Sequence, residues 1–152
     1  MRVSADLRSA PVPPVAPDDH IRGQGPTTVI AYMDFTCPRC AVEHERLRSS
    51  DARVVLRHFA LKARHPRALA LAHAAEAAAA QDAFWAFADA VYADQGHLED
   101  PHLWALCERL GLDVARFDAD RRTDITAERV QRDVRDALRA GLTATPSVVP
   151  LP

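Results

Sequence analysis

Residues 32–46 read YMDFTCPRCAVEHER, with Pro38 and Arg39 between Cys37 and Cys40. Two thiols at this spacing can close a small disulfide or supply half of a tetrahedral metal site. The setting favours the disulfide. The pair follows a nearly continuous apolar run and precedes a helical pattern, which puts Cys37 where a strand ends and a helix begins. Unpaired backbone N–H groups and the positive end of the helix macrodipole favour a thiolate there, and Arg39 adds a cation. Cys40 falls one turn further in, where it is more shielded. Dithiol exchange needs this division of labour: an exposed thiolate attacks and a shielded partner resolves the mixed disulfide. Thiol pKa values at such positions fall to roughly 3.5–7.5, the range expected for Cys37.

Zinc is the rival. Cys37, Cys40 and His44 supply three ligands, but there is no second CxxC to supply a fourth. Cys107 lies on the apolar stripe of a helical pattern and reads as a small core hydrophobe. His65 precedes a helix-starting proline and reads as a loop residue. His58 alternates within a strand and reads as a surface or half-buried side chain. Trp85 and Trp104 read as core or core-edge residues of their helices.

Periodicity identifies the elements that must hold the cysteines. Residues 27–35, TTVIAYMDF, are β-branched, aromatic and apolar, as a central strand covered on both faces would be. A helix is expected over 38–49 and a second strand over 53–61, RVVLRHFAL; together they make a right-handed βαβ unit. Residues 66–142 read as successive helices. Pro66 suits a first helical position, and Asp82 suits the cap of a helix with Phe84, Phe87, Ala88 and Val91 on one face. Asp100-Pro101 opens another, with Leu103, Leu106, Cys107 and Leu110 inward and Gly111 as its stop. Val114 and Phe117 mark a short amphipathic turn. The last helix is expected over 125–140 with Val130, Val134 and Leu138 inward and Gly141 closing it. LTATP then leads to a short third strand at 147–149.

The 152 residues suit one domain, and 48% are hydrophobic, enough for a real core. A net charge of −2 gives no reason to expect a nucleic-acid partner. Three cysteines make no disulfide framework. The opening MRVSADLRSAPVPPVAPDDH has no apolar core of a signal peptide or membrane span, so a cytoplasmic location without membrane attachment is expected. Residues 1–25 read as a flexible Pro-rich arm and 26–152 as the folded domain.

Several separated motifs agree in order: DFTCPRC, VVLRHFAL, HPRALALAHAAEAA, FWAFADAVY and GLTATPS. Over about residues 27–148 the chain resembles the DsbA-like branch of the thioredoxin superfamily, in particular bacterial proteins with an F-x-C-P-x-C motif. The resemblance implies an α/β thioredoxin-like fold with a multi-helix insertion at about 66–123. It also implies activity as a protein thiol–disulfide oxidoreductase on protein or small thiol and disulfide substrates, with no metal or organic cofactor. Cys37 matches the nucleophile and Cys40 the resolving cysteine. Pro38 and Arg39 match the dipeptide that tunes redox poise. Thr145 and Pro146 match the dipeptide ending in a cis-proline that faces the disulfide, where the Thr145 backbone can pair with a substrate strand.

The chain departs from that pattern at two places. Many relatives carry a buried acid six residues before the first cysteine, where this sequence has Ala31; strand alternation puts Asp34 on the opposite face. The sequence also stops a few residues into the third strand, so the fold is expected to be C-terminally shortened. One face of the sheet would then be under-covered and the third strand left as an edge, with Pro150 and Pro152 discouraging pairing. Such a chain is a natural short form, or a homodimer or another partner covers the open edge, or it is a truncation. Two alternatives follow: a non-catalytic thioredoxin-like binding module, and a zinc-binding protein through Cys37, Cys40 and His44. A stabilised thiolate leans toward an oxidant or isomerase, whereas a cytosolic glutathione pool pushes the pair toward its reduced form.

Overall fold

The structure is a computed structural model describing residues 10–152. Its centre is the expected βαβ unit. β2 (Thr28–Met33) and β3 (Arg53–His58) run parallel, in register from Thr28 opposite Arg53 to Met33 opposite His58. They are joined by α1 (Pro38–Arg48). β4 (Ser147–Pro150) pairs antiparallel with the free side of β2. β1 (His20–Arg22) pairs antiparallel with the free side of β3, giving the order β1-β3-β2-β4. Both central strands are buried beyond their first residue, which is why β2 reads as a continuous apolar run rather than an alternating one, whereas β3 also buries Arg57 and His58.

β1 corrects the expectation of a flexible arm over residues 1–25; residues 1–9 lie outside the described residues. The buried guanidinium of Arg57, on β3, holds the segment before β1 in place. It donates to both carboxylate oxygens of Asp19, at 3.0 and 2.8 Å, and to the carbonyls of Pro13 and Pro14 at 2.8 and 2.9 Å. The prolines lack N–H groups, but their carbonyls remain acceptors.

Five further helices follow β3: α2 (Ala68–Ala79), α3 (Phe84–Ala93), α4 (Asp100–Arg109), α5 (Val114–Asp120) and α6 (Asp124–Arg139). Asp113 caps α5 by accepting from the Arg116 N–H, and Thr123 caps α6 by accepting from the Thr126 N–H. Two expected helix starts shift. Arg67, not Pro66, precedes the first turn of α2. Ala83 is the cap of α3, and Asp82 instead takes the left-handed turn at φ 59°.

The phase of α6 differs from expectation too. Its buried residues are Thr126, Val130, Asp133 and Ala137, while Leu138 is 51% exposed. Asp133 accounts for the rotation: its carboxylate accepts from the His58 N–H at 3.1 Å, at the end of β3. A polar residue on the inward stripe is invisible to an apolar periodicity. Trp104 is 39% exposed rather than core, and Cys107 is buried as expected.

Neither face of the central sheet is bare. One carries Ala31, Met33, Phe35 and Cys40 against the α2 and α3 residues Leu71 and Phe87. The other carries Ile30, Tyr32, Val55 and Phe59 against Ala137, with Val12, Val15 and Leu151 packed at its margin. The expected under-covered face is thus filled by α6 and the Pro-rich segment. His58 is buried, not half-exposed, because β3 is an interior strand. Among the described residues, no helix is long and apolar enough to cross a membrane.

Candidate active site

Cys37 is the N-cap residue of α1, in extended backbone conformation, and Pro38 opens the helix. Proline is suited to that position because its missing N–H would be unpaired anyway. Cys40 lies one turn along and is fully buried, whereas Cys37 is half-buried and Pro38 and Arg39 are exposed. Both thiols are free. The expected contrast is therefore present: one accessible sulfur at a helix N-terminus and one shielded behind it.

Their protonation separates accordingly. Burial works against the Cys37 thiolate. Hydrogen bonding from the Thr145 side chain and from the Cys40 and Arg39 backbone outweighs it, so the thiol falls below its ordinary value. For Cys40, burial dominates. It is only partly offset by the Asp34 N–H, which donates to Cys40 Sγ at 3.5 Å, and the thiol is pushed up to about 12. Cys37 is thus the more readily ionised thiol of the pair, and Cys40 holds its proton at neutral pH.

The far end of the chain reaches the same place. The Thr145–Pro146 peptide bond is cis, and the Thr145 carbonyl lies 3.7 Å from Cys37 Sγ, within reach of a thiol proton. Two residues separated by 108 positions thus meet at the end of α1.

Asp34 does not behave as strand alternation predicts. β2 ends at Met33, so alternation no longer applies, and Asp34 is buried with its backbone N–H on Cys40. Its carboxylate accepts from the Thr36 N–H and hydroxyl at 2.8 and 2.6 Å, which shapes the turn into Cys37. Ala31 is fully buried in the cluster that contains Cys40 and brings no proton donor there.

The structure also separates His44 from the cysteines. His44 Nε2 bonds Asp89 at 2.7 Å, and Asp89 accepts from Arg22 on its other side at 2.9 Å. Among the described residues, Cys37, Cys40 and His44 do not converge on a common metal position. The zinc reading through these three residues is therefore corrected: α1 turns His44 toward α3.

Two residues of the site carried no sequence signal. Gln95, in the loop after α3, donates through Nε2 to the carbonyls of Phe35 at 2.9 Å and Cys37 at 3.0 Å, clamping the turn from the helical insertion. Tyr92 is buried beside it, and its hydroxyl has no protein partner among the described residues. Burial pushes that phenol well above its ordinary value and holds it protonated. A glutamine in a loop and a tyrosine on an apolar stripe look like a surface residue and a core residue until the fold brings them to the cysteines.

The thioredoxin family model matches residues 16–149. Among solved structures, a thioredoxin-like oxidoreductase from Silicibacter pomeroyi DSS-3 superposes with TM-score 0.79 at 22% identity, over 89% of this chain and 81% of that one. DsbA2 of Pseudomonas aeruginosa superposes with TM-score 0.71 at 26% identity, over 90% and 82%. Among curated proteins, the Na(+)/H(+) antiporter NhaA of Herminiimonas arsenicoxydans is 41% identical over 153 residues, 95% of this chain and 24% of that one. An NhaA 1 of Salinispora arenicola is 41% identical over 145 residues. The chain spans about a quarter of the length of these curated relatives.

Proposed function

The chain belongs to the thioredoxin family, and from that premise we propose that it is a protein thiol–disulfide oxidoreductase working through Cys37 and Cys40. The single observation that carries this reading is the opposite treatment of two neighbouring sulfurs, one lowered and half-exposed, the other raised and buried. The Cys37 thiolate attacks one sulfur of a substrate disulfide. A Cys37–substrate disulfide forms and the other substrate sulfur leaves as a thiolate. That thiolate or water takes the Cys40 proton, and the Cys40 sulfur attacks Cys37 Sγ. The Cys37–Cys40 disulfide forms and the second substrate sulfur leaves, so two electrons have passed to the substrate. The reverse sequence oxidises a dithiol. Thr145 and Pro146 line the place where a substrate strand lies against Cys37, and Pro38 and Arg39 set the poise of the pair. No metal or organic cofactor takes part.

Insulin reduction, with the Cys37→Ser chain as control, tests the activity. Equal turnover by the two chains would remove it. Equilibration with glutathione buffers then reads the potential of the pair, and a value near or below that of thioredoxin would make the domain a reductant rather than an oxidant.

The curated relatives support a second element of the reading. They are named antiporters and are about four times longer than this chain, so the proposed partner is a membrane Na(+)/H(+) antiporter served by this domain from the cytoplasm. Antiport measured in vesicles with the domain reduced and then oxidised checks it. A flux indifferent to the dithiol state would rule that partner out.

A further inference from the structure

Away from the cysteines, three ligating side chains from three separate elements meet at one point. His20 of β1, His58 of β3 and Glu76 of α2 bring their ligand atoms within 4.8 Å of one another. Both imidazoles address the same oxygen: His20 Nε2 lies 2.6 Å and His58 Nε2 2.7 Å from Glu76 Oε2. The cluster is enclosed, with side-chain exposures of 13% for His20, 1% for His58 and 11% for Glu76. Phe84 stacks on the His20 ring at 3.7 Å between centroids and meets the His58 ring edge-on at 6.3 Å, so an apolar wall fixes both imidazole planes. The Phe35 ring, two residues before Cys37 in the chain, lies 6.2 Å from the His58 ring.

We propose that His20, His58 and Glu76 form a binding site for a divalent transition-metal cation, with zinc the best match, that leaves a fourth position open.

Two imidazole nitrogens and one carboxylate oxygen are a ligand set that zinc accepts in tetrahedral geometry with an open position. Magnesium and calcium favour all-oxygen shells, which this cluster does not offer. The charge also suits a cation. An enclosed carboxylate flanked by two imidazoles carries a negative charge that a divalent ion neutralises.

Only small movements are needed. Zinc–ligand bonds of about 2.0–2.1 Å place tetrahedral ligand atoms roughly 3.4 Å apart. The present contacts of 2.6 and 2.7 Å therefore open by less than about 1 Å each. The ion replaces the Nε2 protons that the two histidines share with Glu76, and each neutral imidazole then offers its Nε2 lone pair with its proton on Nδ1. The way in lies beside His20, which lines a cleft of about 340 Å³ with Asp19, Phe84 and Trp85. Once bound, the ion joins the short edge strand β1 to β3 and to α2, three elements otherwise tied here by two hydrogen bonds to one oxygen.

The experiment uses the full chain carrying Cys37→Ser and Cys40→Ser, so that no active-site thiolate competes. Zinc titration is expected to give one equivalent bound and a raised Tm. X-ray absorption of the bound metal should show a nitrogen and oxygen shell with imidazole scattering. His20→Asn, on the edge strand, is expected to weaken binding by at least about 10-fold. The proposal is overturned by no uptake at millimolar zinc, by a metal shell without imidazole scattering, or by unchanged affinity in a folded His20→Asn chain. If that variant does not fold, the absorption spectrum of the His20-containing chain decides by itself.

Discussion

Cys37–Cys40 and His20–His58–Glu76 are two clusters of reactive side chains, and they are built in opposite ways. The first is four consecutive residues on one helix end, completed by a distant threonine. The second has no local core; its members come from β1, β3 and α2. Local assembly lets backbone geometry set chemistry, because the end of α1 itself supplies the N–H groups that favour a thiolate at Cys37. Non-local assembly makes chemistry depend on the fold. The second cluster exists only while three elements stay docked, and removing Glu76 leaves both imidazoles enclosed without their shared acceptor.

Substitutions should separate the two, beginning with the largest effect. Cys37→Ser is expected to reduce disulfide exchange to buffer background. Cys40→Ala should accumulate a mixed disulfide with substrate, read as a covalent adduct by mass spectrometry. Glu76→Gln should leave exchange intact, and loss of activity there would mean the clusters are coupled. Second is alkylation at pH 8. A thiol pushed up to about 12 is about 10⁻⁴ ionised there, so Cys37 should react on the order of 10³-fold faster than Cys40 in the reduced protein. Comparable rates at the two cysteines, mapped by peptide mass, would erase the contrast.

Third, Glu76→Leu leaves both imidazoles without their acceptor and should cost about 2–4 kcal/mol of stability, measured by urea unfolding. Fourth, acid should weaken the protein in two stages. Burial lowers His44 below its ordinary value of 6.5, so the unfolded chain binds the extra proton and stability is lost as pH falls below that range. Glu76 is held far below its ordinary 4.5, so the stability it contributes above that value is lost as pH falls further. Urea midpoints from pH 8 to pH 2 check the order, and Glu76→Gln should flatten only the lower stage. The smallest effect is expected at Gln95→Ala, about 1 kcal/mol from the lost clamp on the Phe35 and Cys37 carbonyls. A shift in the alkylation profile of Cys37 without a change at Glu76 would assign Gln95 to positioning the dithiol turn.

The dithiol region was legible because it is short-range. The apolar run of β2, the proline at the start of α1 and the CxxC spacing are all local, and DFTCPRC with GLTATPS also carried the family. The edge strand β1 was read as part of a loose arm because three residues paired to a non-local strand have no period of their own. Leu138 was expected inward because apolar spacing on α6 is blind to Asp133, which took the inward position by bonding His58. His58 looked half-exposed because nothing near it in sequence says that β1 lies beyond β3.

By itself, then, the sequence determined which residues can do redox chemistry, which turn carries them, and the alternation of strand and helix around them. These follow from backbone preferences and side-chain periods within a few residues. Tertiary structure alone decided that Gln95 clamps the turn, that His44 leaves the cysteines for Asp89, and that two histidines converge on Glu76. Each of these is a contact across elements. A period along one element fixes how its side chains point relative to its own axis, whereas the partner on the other side is set by docking, through burial and the pairing of polar groups.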